Sequence, residues 1–192
     1  MHTAKKSFLW TAALVVLVLV AASLTALAQR ETIQATAMGT STQMGKMANV
    51  NIIIEGYSTE EDRQVLIEAF NQGRNTDERN ENVVNALSKM PGKGRIAITG
   101  TLGYEIKYVR QFATPTGRKI RIVTDRPLRF GELWADSRST DYTLSVIELD
   151  LSDVKDQSGG VLLPACRFLI SKEGELTVET YQNPWKIVNV LK

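Results

Sequence analysis

The sequence contains one histidine and one cysteine in 192 residues, and each scarcity excludes a class of chemistry. The histidine is His2, which we expect to be removed with the N-terminal segment 1–28. The remaining chain would then lack Ser-His-Asp or Cys-His catalysis and any metal site built on imidazole. With Cys166 as its single thiol, the chain cannot form an internal disulfide, so its fold must depend on the hydrophobic core.

A long apolar run occurs at the N-terminus, and it has the three zones of a secretory signal peptide. Lys5 and Lys6 give a positive start, and Phe8 to Ala22 is apolar apart from one threonine. Ala26-Leu27-Ala28 then places small residues at the two positions that a signal peptidase reads. We therefore predict a signal peptide over residues 1–28.

The alternative is that this segment is an uncleaved membrane anchor. Phe8 to Ala28 carries no charge, and about 20 apolar residues are enough to span a bilayer. Cleavage is favoured because the small-residue site falls where the apolar run ends and polar sequence begins. We expect an exported protein, periplasmic or extracellular, with no stable membrane insertion after cleavage.

Removal of the signal would leave a chain of balanced charge. The full sequence has 23 basic and 21 acidic residues, and the segment holds Lys5 and Lys6 but no acid, so 21 of each sign would remain. A neutral domain has no overall electrostatic reason to bind nucleic acid or an anionic membrane. The predicted partner is therefore a protein or a small ligand of unknown identity, and not nucleic acid.

The segment after the signal is predicted to be a flexible leader. Residues 29–45 are rich in Thr, Gln, Ala and Gly and have no hydrophobic periodicity. A single domain then covers residues 46–192. Val50, Ile52 and Ile54 alternate with other residues, which predicts the first strand with one strongly apolar face.

Two helices are predicted after this strand. Ser58 and Glu61 have the spacing of a capping box with Ser58 as the N-cap. Gly73 can end the first helix. Thr76 or Asp77 can cap the second.

Beyond the helices, apolar residues recur with a period of two, which is typical of strands. Leu144 and Val146 face opposite to Ile147, which predicts a bulge or a strand covered on both sides. Pro164, within the apolar run VLLPACRFLI, predicts an edge position or a bulge. In total we predict an α+β fold with about eight mostly antiparallel strands. They form a curved sheet or half-open barrel, with a two-helix insertion after the first strand.

The stretch from Thr124 to Leu149 reads TDRPLRFGELWADSRSTDYTLSVIEL. It has a strand ending in T-D-R-P, an F-x-E segment, and an S-x-D-Y turn that leads into a strand ending in I-E-L. These elements fall on Thr124–Pro127, Phe130 with Glu132, Ser139 with Asp141 and Tyr142, and Ile147–Leu149. In this pattern the chain resembles a family of uncharacterised exported bacterial proteins, from about Val50 to the C-terminus. The resemblance implies export and no particular chemistry, because the family has no assigned activity.

The same stretch holds the densest cluster of charged side chains and forms the candidate ligand-binding loop. Its aromatic rings would offer a flat apolar surface to a sugar or peptide, with charges around one end of the sheet. The candidate residues are Asp125, Arg126, Phe130, Glu132, Trp134 and Asp141. The alternative is structural: Asp125 caps the turn, Pro127 fixes it, and Arg126 pairs with a carboxylate across the loop.

No motif in the sequence specifies a catalytic, cofactor or metal site. A carboxylate-pair hydrolase needs two acids about 5–9 Å apart, and 21 acids produce such pairs by chance. The possible members are Glu132, Asp136, Asp141 and Glu148. Asp150, Asp153 and Asp156 lack the spacing of a calcium-binding loop, and a Gly-rich phosphate motif is absent. We therefore predict no cofactor.

Two further features have a structural and a functional interpretation. Tyr104, Tyr108 and Phe112 line one face of a predicted strand and can line a ligand cavity, although such a stripe more often packs in a core. Cys166 lies in an apolar run, which indicates a buried thiol more than a nucleophile.

From these features we expect an exported, non-enzymatic binding or envelope-associated module. The alternatives are a carboxylate-based hydrolase acting on an extracytoplasmic polymer and an inhibitor-like module that binds a protein partner. Two carboxylates in a cleft, one with a raised pKa, would favour the hydrolase. A barrel interior filled by side chains would favour the binding module. An exposed apolar patch or an open edge strand would favour the partner module.

Overall fold

In the part of the chain that the structure describes, there are ten strands, and two amphipathic helices lie between the second and third. The computed structural model describes residues 30–129, 141–154, 157–170 and 176–192. The strands are β1 Glu31–Met38, β2 Met47–Ile54, β3 Gly94–Ile98, β4 Tyr104–Ile106, β5 Tyr108–Thr114, β6 Gly117–Thr124, β7 Leu144–Ser152, β8 Gly159–Ile170, β9 Leu176–Thr180 and β10 Trp185–Leu191. The helices are α1 Glu60–Gln72 and α2 Thr76–Lys89.

The strands form one antiparallel sheet that closes almost completely on itself. Their order is β4-β3-β2-β1-β10-β8-β7-β6-β5, and β9 adds to β8. The chain runs from β4 into β5 through Lys107, so the two ends of this order meet. There the Lys107 amide donates to the Val123 carbonyl on β6 at 3.2 Å. The sheet is therefore a barrel-like α+β fold, as predicted, with ten strands in place of about eight.

One of the additional strands lies in the segment predicted to be a flexible leader, and that prediction is wrong for Glu31–Met38. β1 pairs along its whole length with β2 and also pairs with β10. Its residues Ile33, Ala35 and Ala37 are buried inside the barrel. The run ETIQATAM contains too little large apolar surface to signal a strand, and its burial is decided by its two neighbours. The helix pair consequently follows the second strand, not the first.

The other additional strand arises because one predicted strand is interrupted at Lys107, between β4 and β5. The barrel interior is a core of mostly branched aliphatic side chains from all the strands around it except β9. Its fully buried members include Ile33, Ile52, Ile54, Ile96, Ile106, Ile120, Ile122, Ile147, Leu149, Leu162 and Ile187. Leu128, beyond the end of β6, packs into the same core. The interior is thus filled by side chains, as in other small barrels.

α1 begins one residue later than the sequence predicted, because its N-cap is Thr59. The Thr59 hydroxyl accepts from the Asp62 amide at 3.2 Å, and the Asp62 carboxylate accepts from the Thr59 amide at 3.0 Å. Ser58 has another role. Its amide donates to the Val109 carbonyl at 2.8 Å, and its hydroxyl accepts from the Val109 amide at 3.0 Å. Ser58 therefore joins the start of α1 to β5.

The second helix is capped by Asn75, whose side chain accepts from the Glu78 amide at 2.9 Å, and not by Thr76 or Asp77. Gly73 ends α1, as predicted. α2 is attached to the sheet by the buried Asn80. Its side-chain nitrogen donates to the Phe168 carbonyl at 2.9 Å, and its oxygen accepts from the Phe168 amide at 2.7 Å. This carboxamide takes the place of a neighbouring strand, because the pairing of β7 with β8 stops at Cys166.

The helix pair packs on the outer face of β5 to β8. The buried side chains at this contact are Phe70, Val83, Leu87, Met90, Tyr108, Val123, Leu144, Val146 and Cys166. The start of β7 is therefore covered on both faces, as predicted from Leu144, Val146 and Ile147. The register of β7 on β8 also shifts beside Pro164, so this proline lies in a bulge of a central strand.

Replacing Ile33 by Ala tests whether β1 belongs to the fold. The fully buried side chain leaves a cavity in the barrel, so we expect the free energy of unfolding to fall by about 2–5 kcal/mol. The matched control is Thr32→Ala on the exposed face of the same strand, which should change stability by less than about 0.5 kcal/mol. Urea denaturation measures both. Equal, small effects would mean that this segment is a leader after all.

Candidate functional site

The predicted ligand-binding loop is partly described by the structure. Phe130, Glu132 and Trp134 lie outside the described residues. Asp141 begins the next described segment and is exposed. Asp125 accepts a hydrogen bond from Nε of Arg126 at 3.1 Å, so this arginine pairs with its neighbour in the chain. The described part does not bring the candidate charges into one site.

The residues that follow the T-D-R-P segment are bound to the barrel. The Leu128 amide donates to the Pro164 carbonyl at 3.0 Å and to Oγ of Ser145 at 2.7 Å. Ser145 Oγ in turn donates to the Pro164 carbonyl at 2.6 Å. The Arg129 amide donates to the Tyr104 hydroxyl at 2.8 Å. These contacts hold Leu128 over one end of the core, which favours the structural interpretation of this segment.

The aromatic residues predicted to share one strand face do not share it. Tyr104 packs against the barrel interior, whereas Tyr108 lies in the cluster beneath the helices. The interruption at Lys107 shifts the strand by one residue, and such a shift turns every later side chain to the other face. Tyr108 and Phe112 are therefore brought to the outside of the barrel.

There they line a groove of about 690 Å³ between the helix pair and the sheet. Its walls are mostly apolar, and its polar side chains are one carboxylate, one carboxamide and three guanidinium groups. The apolar lining consists of Leu66, Ile67, Phe70, Val83, Leu87, Tyr108, Phe112, Val123 and Phe168. The polar lining consists of Glu60, Arg63, Asn71, Arg110 and Arg121. We call this depression the helix–sheet groove.

The mouth of the helix–sheet groove is formed by ion pairs. Glu60 accepts from Arg63 and from Arg110, each at 2.8 Å, and so links α1 to β5. Hydrogen bonds from Arg63 and then Arg110 lower the pKa of Glu60. Arg121 pairs with Glu148 on β7, with Nε donating at 2.7 Å.

An exposed aromatic ring lies close to two of these arginines. Phe112 is 41% exposed, and the guanidinium carbons of Arg110 and Arg121 lie 5.8 and 5.9 Å from its ring centroid. The two arginines are directly opposite each other on β5 and β6. The mouth therefore combines cation–π contacts with two like charges side by side.

No motif in the sequence indicates this groove, although one local signal for the arginine pair is present. The Thr114–Gly117 turn leaves two residues between β5 and β6, and a two-residue hairpin fixes the register of its strands. Counting back from the turn places Arg110 opposite Arg121. The helix wall could not be found in this way, because no local signal shows where α1 and α2 dock.

A polar network fastens the start of β1 to the β5–β6 hairpin. The Tyr57 hydroxyl donates to Glu31 at 2.8 Å and accepts from Arg118 at 3.2 Å. Arg118 also pairs with Glu31 and donates to Gln111 at 2.7 Å. Burial, followed by the Glu31 carboxylate, raises the pKa of Tyr57 to about 12. The network joins β1 to the β5–β6 hairpin and to the segment before α1.

The described carboxyls give no sign of a proton-holding pair. Where their pKa departs clearly from the ordinary value, it is lowered, at Glu60, Glu61, Asp62, Glu78 and Glu179. Of the possible hydrolase acids, Glu132 and Asp136 lie outside the described residues, and Glu148 is paired with Arg121.

Among the described residues, no group of three or more acidic, histidine or cysteine side chains is arranged to hold a metal ion. In the same residues, no helix has the length and apolarity needed to cross a bilayer.

Fold and groove together define an α+β barrel with an external apolar groove. No family model matches this chain, and comparison with curated proteins and with solved structures found no match. Its function is therefore inferred from the geometry of the groove and from the sequence.

The environment of Cys166 predicts an unreactive thiol. The side chain is fully buried, as expected from the sequence, and burial raises its pKa to about 12. We expect no reaction with a disulfide reagent such as DTNB at pH 8 in native buffer. In concentrated guanidinium chloride one thiol per chain should react. Rapid modification of the folded protein would show that the thiol is accessible.

Tyr57→Phe tests the polar network. Loss of its hydrogen bond should lower the free energy of unfolding by about 0.5–1.5 kcal/mol at neutral pH. Because the pKa of Tyr57 is raised from 10.0 to about 12 on folding, the protonated phenol stabilises the native state. This contribution is complete below pH 10 and is lost as the pH rises through 12.

The measurement is urea denaturation across the alkaline range, with Tyr181→Phe, an exposed tyrosine, as the control. The difference in stability between wild type and Tyr57→Phe should shrink above pH 10. The control should keep the pH dependence of the wild type. An unchanged difference for Tyr57→Phe would contradict the assignment.

Proposed function

We propose that this chain is an exported, non-enzymatic binding module that holds an apolar ligand in the helix–sheet groove. Export is supported by the signal peptide predicted over residues 1–28. Binding is supported above all by one observation: the barrel interior is filled, whereas the outer groove has apolar walls and a charged mouth.

The dimensions of the groove suit a small ligand. Its volume of about 690 Å³ lies within the range of about 300–1,000 Å³ that is usual for such sites. Its floor is formed by buried side chains such as Leu87 and Val123, which are held by the packing of α2 on β6. Two other depressions, of about 570 and 500 Å³, have a smaller share of apolar side chains. The helix–sheet groove is thus the better site for an apolar ligand.

The state of the carboxyls supports binding over hydrolysis. A carboxylate acid–base pair needs one member with a raised pKa. Glu60, the acid at the mouth, has a lowered pKa and is hydrogen-bonded to two arginines. Such a carboxylate stays charged and is suited to holding α1 on β5.

A second candidate is the module that binds a protein partner, and one observation favours it. Met44 and Leu102 are 80% and 92% exposed, in the β1–β2 and β3–β4 connections. Both connections lie at the same end of the barrel, where the Thr99 amide donates to the Asn49 carbonyl at 3.1 Å. Exposed apolar side chains at one end are typical of a contact surface. It ranks second because neither Met44 nor Leu102 lines any of the three depressions named above.

Ile67→Trp tests the proposed groove. Ile67 lines the groove, so the larger side chain should fill it and weaken ligand binding about tenfold, or about 1.4 kcal/mol. The neutral fluorophore N-phenyl-1-naphthylamine serves as the probe, since its emission rises in an apolar site. It is titrated into the chain from Gln29 onward, which contains every described element.

The matched control is Val65→Trp. Val65 lies on the same helix but is 48% exposed and does not line the groove. This variant should bind the probe as the wild type does, with one site per chain. Equal weakening by both variants, or no saturable binding by the wild type, would overturn the proposal.

A further inference from the structure

The mouth of the helix–sheet groove contains two like charges next to each other. Arg110 and Arg121 lie directly opposite each other on β5 and β6. Like charges in directly opposed positions destabilise a sheet. The guanidinium carbons of both arginines also lie within 6 Å of the ring centroid of Phe112, so both groups lie beside the same ring. An anion bound there would relieve the repulsion.

The carboxylates nearby only partly balance these arginines. Arg110 shares Glu60 with Arg63, and Arg121 pairs with Glu148. Three guanidiniums are thus served by two carboxylates, which leaves one positive charge in excess.

The next row of the sheet does not change this balance. Lys119 lies opposite Phe112 on β6, and Asp150 lies opposite Lys119 on β7. These two charges cancel. Because a guanidinium has five hydrogen-bond donors, each arginine can donate to a further anion while it stays bonded to its present carboxylate.

The apolar walls of the groove restrict the kind of chemical group that can be attached to the anion. Leu66, Phe70, Leu87 and Val123 offer no hydrogen-bonding side-chain group. A peptide carries an amide at every residue, and burying unpaired amides is costly. An alkyl chain has no such requirement. The charges lie on one side of the groove, beside Phe112, as an amphiphile with one charged end would need.

We propose that the ligand is a long-chain carboxylate, with its head between Arg110 and Arg121 and its alkyl chain along Phe70 and Leu87. This inference rests on the proposed function of the groove. Two affinity ratios are expected for such a ligand. Affinity should rise about fourfold with each added methylene until the groove is filled. The carboxylate should bind about tenfold or more tightly than the alcohol of the same chain length.

The experiment is isothermal titration calorimetry on the chain from Gln29 onward. The probes are octanoate, decanoate and dodecanoate, all below their micelle concentrations, and decan-1-ol. Arg121→Gln should remove most of the preference for decanoate over decan-1-ol while leaving the alcohol bound. Circular dichroism confirms that the variant is folded.

The matched control is Arg74→Gln. Arg74 also pairs with one carboxylate, Glu78, but it is 87% exposed and does not line the groove. This variant loses the same charge and should keep the preference of the wild type. Equal loss in both variants would point to a general charge effect and overturn the inference.

The remaining outcomes separate the two proposals. If wild type binds decanoate and decan-1-ol equally, the carboxylate inference fails and the groove remains an apolar site. If neither alkyl probe nor the neutral fluorophore binds, the proposed function fails as well. A peptide with blocked termini and one Glu among apolar residues is also tested. If it displaces the fluorophore while decanoate does not, the ligand is a peptide and the inference is wrong.

Discussion

The interruption of one strand at Lys107 determines both the closure of the barrel and the position of its groove. Before it, β4 pairs with β3 and faces the core; after it, β5 pairs with β6 and turns Tyr108 outward. Lys107 is 7% exposed, and a buried ammonium is costly unless it is paired. It is paired with Glu105 at 2.7 Å and with the Met90 carbonyl at 3.3 Å. Because Met90 caps α2, the same side chain joins the interruption to the helix pair.

The two sides of the barrel have different surroundings for this reason. Beneath the helices, the sheet buries a second apolar layer, and the strands there are covered on both faces. On the opposite side, β1 is inserted between β2 and β10 and is fastened by Glu31, Tyr57 and Arg118. The groove opens where the helix layer ends, so that its floor is apolar and its mouth is charged. The site is amphiphilic because the helix pair covers only part of the sheet.

Several elements were predictable because their signals are local. The capping region of α1, the end of that helix at Gly73, the bulge at Pro164 and the two-sided burial around Val146 each depend on residues close in sequence. One error began with a local ambiguity that a distant contact resolved. Thr59 and Asp62 offered the same capping spacing as Ser58 and Glu61, and a long-range contact of Ser58 with β5 decided between them. The six residues of the predicted loop stay a prediction, because Phe130, Glu132 and Trp134 lie outside the described residues.

By itself, the sequence determined the fold class, the helix pair, the antiparallel strands and the burial of Cys166. These follow from periodicity, turn residues and burial of apolar runs, which act within a few residues of one another. Tertiary structure alone decided that Glu31–Met38 is a strand, because a weakly apolar segment is ordered by the two strands that flank it. It also decided that Phe112 and the helix pair meet in a groove. That contact joins residues that are distant in sequence. The outer face of the sheet, on which the helices pack, forms only when the barrel closes.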